Sequence, residues 1–177
     1  MEYYNSKIQI HKDVIEDVFT YFNSNSKMLV FGLGYDSKMW YEGNSKNTFF
    51  VENNDEYIHL NEKDISANNI IKYDYKTTCS ESMKLSDNEI MKFTIPEKLL
   101  KEAPFDIIIV DGPEGWEKNK PGRLIPCYWS TLLSKKGTII YIDDSNRALE
   151  KVCIQKYFKD YPQKVFNQRD GCTKIYM

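Results

Sequence analysis

Histidine is nearly absent from this chain, with only His11 and His59, and its four cysteines (Cys79, Cys127, Cys153 and Cys172) form no Cys-x-x-Cys pair. A structural zinc site needs clustered nitrogen and sulfur ligands, so this composition argues against one, and the cysteines read as reduced, mostly buried thiols. Long apolar runs are also missing. The longest, Ile107–Val110 and Ile139–Ile142 among them, fall far short of the roughly 18 residues a membrane helix takes. Met1–Asp13 is polar and lacks a signal-peptide core, so the expectation is a soluble, cytoplasmic chain with no membrane partner. Neither charge dominates. The 24 basic residues nearly cancel the 26 acidic ones for a net of −2, which gives no general pull toward nucleic acid.

What remains is an ordinary globular balance, 41% hydrophobic and 28% charged over 177 residues, enough for one domain with a sizeable core. Short β-rich runs alternate with helical stretches, the pattern of an α/β fold with a mostly parallel sheet. Strands are expected at Met28–Gly32, Asn47–Glu52, Asn69–Tyr75, Asp106–Asp111 and Thr138–Ile142. Between them helices are expected at Ser37–Tyr41, Glu56–Ala67, Glu97–Lys101, Leu124–Ser134 and Ala148–Phe158, and ahead of them at Lys12–Phe22, as an appendage to a single domain spanning 1–177. The fourth and fifth strands are apolar at every position, which predicts central places in the sheet, covered on both faces. Gln163–Asn167 and Cys172–Tyr176, joined across Arg169-Asp170-Gly171, predict a closing antiparallel hairpin. Cys79–Phe93 is polar and weakly patterned and reads as a surface insertion.

Four segments carry chemistry. In Leu29-Val30-Phe31-Gly32-Leu33-Gly34-Tyr35-Asp36-Ser37 a strand runs into two glycines and a helix start: Gly32 for a tight turn, Gly34 for close approach of the backbone to a ligand. Ser37 replaces the third glycine of a dinucleotide fingerprint. Glu52 ends the second strand eighteen residues after Gly34, close to the spacing of an acid that accepts hydrogen bonds from both ribose hydroxyls. Its competing role is to cap the next helix, which Asn53, Asn54 or Asp55 fills equally well. The strands ending at Asp111 and at Asp143-Asp144 place acids at the carboxyl edge, where open α/β sheets bind ligands. Two such carboxylates repel unless a cation or a proton lies between them, leaving a divalent metal or a general base of raised pKa as alternatives. Because strand neighbours point to opposite faces, only one of Asp143 and Asp144 need act.

At these segments the chain resembles the class I S-adenosylmethionine-dependent methyltransferases, and more narrowly the polysaccharide-biosynthesis domain family that includes plant glucuronoxylan 4-O-methyltransferases. The resembling residues are Val30 to Trp40, Phe50-Val51-Glu52-Asn53, Tyr75-Lys76-Thr77, Asp106 to Pro113, Pro121-Gly122-Arg123, and Asp144-Ser145-Asn146-Arg147 leading to Glu150-Lys151-Val152. The resemblance implies a three-layer Rossmann-like sheet binding S-adenosylmethionine through Gly32, Gly34, Asp36, Glu52, Asn53 and Asp111. It puts Asp111 and Asp144 beside the transferred methyl as base or tentative metal ligands, with Asp143 standing where the family has histidine. Arg123, Trp116 and Arg147 are the expected acceptor contacts. The implied activity is O-methylation of a sugar, nucleotide sugar or glycan, with a divalent cation and a homo-oligomer left open. The plant members carry a Golgi membrane anchor; with Met1–Asp13 polar here, a cytosolic acceptor is expected instead. Three rivals remain: a nicotinamide-dependent oxidoreductase, against which Ser37 breaks the glycine triad and the only Tyr-x-x-x-Lys pair, Tyr3 and Lys7, lies ahead of the nucleotide fold; a silent binding module on the same fold; and a methyltransferase acting on a catechol-type phenol.

Overall fold

The computed structural model describes residues 4–177; Tyr3 lies outside them. One seven-stranded sheet organises the chain. Its strands are β1 (Met28–Phe31), β2 (Thr48–Glu52), β3 (Ile70–Lys72), β4 (Phe105–Val110), β5 (Ser134–Asp143), β6 (Gln163–Phe166) and β7 (Cys172–Tyr176). They lie in the order β3-β2-β1-β4-β5-β7-β6. The first five are parallel, and β7 runs antiparallel to both β5 and β6. β4 and β5 therefore occupy inner positions, as their unbroken apolar character requires. An antiparallel strand beside β5 also separates this sheet from the all-parallel 3-2-1-4-5-6 dinucleotide sheet.

Successive strand residues feed two apolar layers. On one face Leu29, Phe31, Ile108, Val110, Ile140 and Ile142 pack with Trp129 and Leu133 of α7 (Leu124–Leu133) and Cys153 of α8 (Ala148–Tyr157). On the other, Met28, Val30, Ile107, Ile109 and Tyr141 meet Val14, Ile15 and Val18 of α1 (Lys12–Phe19) and Trp40 of α2 (Ser37–Gly43). α1 is thus part of the core instead of an appendage. A buried ionic knot fastens it: the Lys174 ammonium donates to Asp17 at 2.5 Å and to the Tyr21 hydroxyl at 2.8 Å, while the Tyr141 hydroxyl donates to Asp17 at 2.6 Å.

Several boundaries differ from the sequence expectation for local reasons. α1 stops at Phe19 because the next amides turn back three residues instead of four, Tyr21 N–H onto the Val18 carbonyl. α3 (Asp55–Asn61) ends six residues early, its N-terminus capped by the Asn54 side chain accepting from Glu56 N–H at 2.9 Å. β3 is three residues long, after which Tyr73 and Tyr75 turn to stack edge-on near Trp129. The stretch expected as a loose insertion holds two short helices, α4 (Cys79–Ser82) and α5 (Asp87–Ile90), each closed by a capping box, Thr78 with Glu81 and Ser86 with Glu89. Ile90 anchors this stretch in the core. α6 (Glu97–Glu102) then leads into β4. Among the described residues no helix is long and apolar enough to cross a membrane.

Candidate active site

The register of the central strands aligns their carboxyl ends. Phe31 of β1 pairs with Val51 of β2 and Val110 of β4, and Val110 with Ile142 of β5. Glu52, Gly32, Asp111 and Asp143, each the next residue, follow as one row at the sheet edge. Adjacent members of that row lie about 4.8 Å apart in strand spacing. β1 and β4 flank the point where the chain order reverses, the place for a ligand in open α/β sheets. A cleft of about 760 Å³ opens over the row, and its walls include Gly34, Asp36, Asn53, Trp116, Arg123, Asp144 and Arg147. The sequence therefore picked out residues that the fold gathers around one cavity.

Two glycines let the row close up. Gly32 has φ +114°, and a Cβ there would meet the Gly112 amide nitrogen at 3.0 Å. A Cβ on Gly112 would stand 2.8 Å from the Gly32 Cα. The ends of β1 and β4 thus touch backbone to backbone, tied by Asp111 N–H donating to the Phe31 carbonyl at 3.0 Å. Gly34 uses its amide differently, donating to the Ser37 hydroxyl at 2.8 Å. Ser37, where a third glycine was absent, is the residue that fixes the loop.

Glu52 binds backbone in this structure. One carboxylate oxygen accepts from Leu33 N–H at 2.6 Å, the other from Asn53 and Asn54 N–H at 2.7 Å each. Burial raises its pKa, partly offset by these three donors. Its lone pairs leave room for one further donor from the cleft. Asp36 is buried and accepts from Trp40 Nε1 at 2.7 Å. Burial, then the nearby Asp111 charge, push Asp36 up to about 7.

The acids at the ends of β4 and β5 answer the repulsion problem with both a cation and a proton. Asp111, Asp143 and Asp144 each present an oxygen within 4.8 Å of the others. Strand alternation would have parted Asp143 from Asp144, but Asp144 has left the strand, at φ +54°, and so joins the cluster. The cation is Arg123, whose side chain is only 4% exposed. Its Nη1 donates to the Asp143 carbonyl at 2.5 Å, and its Nη2 to Asp144 at 2.7 Å and Asp111 at 3.4 Å. Arg123, an expected acceptor contact, lines the cleft and serves there as counter-ion to the acids, while Glu114 pairs with Lys120 at 2.7 Å. Arg147 adds a second guanidinium, 2.9 Å from the same Asp144 oxygen and 3.5 Å from Asp170. Asp143 is pushed up to about 8 by burial and then by the Asp111 charge, which favours its protonated form at neutral pH.

This donor set does not suit a divalent ion. One Asp144 oxygen is already shared between two guanidiniums, those of Arg123 and Arg147. Ligands for a hard cation must be deprotonated and free to turn their lone pairs to it. The arrangement instead leaves Asp111 as the acid facing the cleft, its side chain 32% exposed against 19% for Asp144. Trp116, 57% exposed, stands on the rim with the Lys120 ammonium 4.9 Å over its ring.

The two raised acids make stability depend on pH. Folded Asp143 and Asp36 keep protons that the unfolded chain, titrating near 3.8, has already released. The native state therefore binds more protons between about pH 4 and 8, so its stability falls as pH rises through that window and levels off above it. Melting temperature measured from pH 5 to 9 should fall, and the fall should be smaller in Asp143→Asn. An equal slope in the variant would remove the proton from Asp143.

Comparison with known proteins agrees with this architecture. Residues 8–92 match the family model described as IRX15/IRX15L/GXM. Glucuronoxylan 4-O-methyltransferase 3 of Arabidopsis thaliana is 30% identical over 148 residues, covering 72% of this chain and 50% of its own. Arabinogalactan O-methyltransferase 2 of the same plant is 29% identical, covering 73% and 53%. The chain thus spans about half the length of the curated relatives it matches. Among solved structures, precorrin-6y C5,15-methyltransferase from Geobacter metallireducens superposes with a TM-score of 0.54 at 13% identity, over 97% of this chain and 90% of that one. MycE methyltransferase of the mycinamycin pathway, crystallised with Mg and SAH, gives 0.54 at 14% identity over 93% and 44%. With its parallel strands closed by an antiparallel hairpin, the chain has the class I methyltransferase fold, and in sequence it is related to the IRX15/IRX15L/GXM family and its glucuronoxylan 4-O-methyltransferases.

Proposed function

We propose that this chain transfers a methyl group from S-adenosylmethionine to a hydroxyl of a sugar, nucleotide sugar or glycan. The observation that carries this reading is the row of Glu52, Gly32, Asp111 and Asp143 along one sheet edge beneath a single cleft. In it the Gly32–Gly34 loop and Glu52 hold the donor, with Asp36 and Asn53 lining its half of the cleft. Asp111 faces the acceptor, and Trp116 offers the acceptor's ring an apolar face.

A sugar hydroxyl is a weak nucleophile until its proton has somewhere to go. Asp111 takes that proton as the hydroxyl oxygen forms its bond to the methyl carbon and the carbon–sulfur bond breaks. The electron pair of the broken bond stays on sulfur, turning the sulfonium into a neutral thioether. Holding oxygen, carbon and sulfur in line supplies much of the acceleration, and Arg123 and Arg147 keep Asp144 and Asp111 in place.

Calorimetry with S-adenosylmethionine and S-adenosylhomocysteine, followed by labelled-methyl transfer to a panel of sugars, nucleotide sugars and oligosaccharides, tests the reading. Binding plus transfer to a sugar supports it. Binding with no transfer to any of them favours the silent module, transfer to a catechol favours the phenol reading, and thermal stabilisation by NADH alone favours the oxidoreductase.

Glu52→Ala should weaken S-adenosylhomocysteine binding by about 10–100-fold, the scale of one or two hydrogen bonds to a charged group. Both the ribose contact and the tether that holds Leu33 N–H would be lost. Unchanged affinity would remove Glu52 from the donor site.

A further inference from the structure

One buried charge is left over. Glu150, on the first turn of α8, is 0% exposed, and both its carboxylate oxygens lack a hydrogen-bond partner. Buried carboxylates are rarely left so, because the desolvated charge needs compensation. The Arg123 Nε is also buried and unpartnered, while both Nη atoms are engaged. The chain brings the two near one another: a Cβ on Gly115 would stand 3.2 Å from a Glu150 oxygen and 3.5 Å from the Cα of Gly122, the residue before Arg123. Burial raises the Glu150 pKa, and the Arg123 guanidinium is the foremost influence opposing that rise.

We infer that Glu150 is a positioning residue for the site: it pairs with the Arg123 Nε through one bridging water, and so aims the two Nη groups at Asp144, Asp111 and the Asp143 carbonyl. Its place in catalysis rests on the methyl-transfer reading above; the pairing itself does not. A guanidinium fixed on its Nε edge and on both Nη groups cannot turn about its stem, and its five donors are then nearly all used. Bound only by Nη, it would hold the acids less rigidly, and the base would meet the acceptor hydroxyl in a wider spread of geometries.

The test uses the full chain, which has three arginines, Arg123, Arg147 and Arg169, so their Nε–H resonances are readily assigned. In a ¹H–¹⁵N NMR spectrum the Arg123 Nε–H should be protected from exchange. Glu150→Gln should move that resonance and speed its exchange by roughly tenfold or more, the factor that follows from losing one charge-assisted hydrogen bond. In turnover, Glu150→Gln should lower kcat about tenfold while leaving donor affinity within about twofold. In an Arg123→Lys background, which has no Nε, it should have no further effect on kcat. An Arg123 resonance unchanged by Glu150→Gln, or an equal loss of kcat in both backgrounds, overturns the pairing. If the wild-type chain transfers no methyl group at all, the functional reading fails and the NMR result alone decides between Glu150 and Arg123.

Discussion

Asp111→Asn should lower methyl transfer by about 10²–10⁴-fold, the usual contribution of a positioned general base. Donor affinity should stay within about threefold, a change of under 1 kcal/mol. The expectation follows from how the three acids divide their work. Asp143 is pushed up to about 8, which favours its protonated form at neutral pH, and one Asp144 carboxylate oxygen is clamped between Arg123 at 2.7 Å and Arg147 at 2.9 Å. Asp111 is the one whose nearest guanidinium contact is as long as 3.4 Å and whose side chain faces the cleft. Asparagine keeps its shape and its main-chain bond to Phe31 while removing the proton acceptor. Labelled-methyl transfer at saturating acceptor, paired with calorimetry on S-adenosylhomocysteine, separates the two quantities. Turnover near the wild-type rate would take the base role from Asp111, and a collapse of affinity would place its effect on binding.

What the sequence showed and what it hid divide along physical lines. Strand identity and centrality were legible because Ile107–Val110 and Ile139–Ile142 are apolar at every position, and a strand with two covered faces has no polar side to show. The terminal hairpin was legible from its turn, where Arg169 and Gly171, flanking Asp170, take positive φ. The short helices at Cys79–Ser82 and Asp87–Ile90 had a signal too, Thr78-x-x-Glu81 and Ser86-x-x-Glu89, which polarity masked. The row of site residues followed from strand ends, since in parallel strands the carboxyl ends share an edge. Long-range ionic choices were not legible. Nothing local to Pro121-Gly122-Arg123 says that the guanidinium turns inward to acids lying 12 and 21 residues away, or that Lys174 reaches Asp17 across 157. The same holds for Asp144, whose backbone leaves the strand one residue before alternation would have turned it away.

That inward turn of Arg123 changes the chemistry the acids can do. Read as sequence, Asp111 and Asp144 called for a metal or a shared proton. Read as structure, an internal guanidinium supplies the charge, and burial and the Asp111 charge favour the protonated form of the third acid, Asp143. A site charged in this way is ready for a donor that brings its own positive sulfur. Between about pH 6 and 9 the affinity for S-adenosylmethionine relative to S-adenosylhomocysteine should rise, because Asp143 and Asp36 become anionic within that range and attract the sulfonium and not the thioether.

Arg123→Met should be the most damaging single change to the fold at the site, destabilising it by about 3–5 kcal/mol, the cost of leaving a buried charge without its partner. For a chain of this length that is a drop of roughly 10 °C in melting temperature. Methionine fills much of the stem volume, so the loss comes from charge and hydrogen bonds more than from a cavity. Asp144 keeps Arg147, whereas the Asp143 carbonyl and Asp111 lose a donor outright. Lowering the pH protonates the carboxylates left without their guanidinium, so the deficit relative to wild type should narrow between about pH 7 and 5. Thermal melts of both proteins across that range provide the check. A variant within a degree or two of wild type at pH 7 would mean that solvent already screens these acids, and Arg123 would no longer account for how three carboxyl groups share one edge of the sheet.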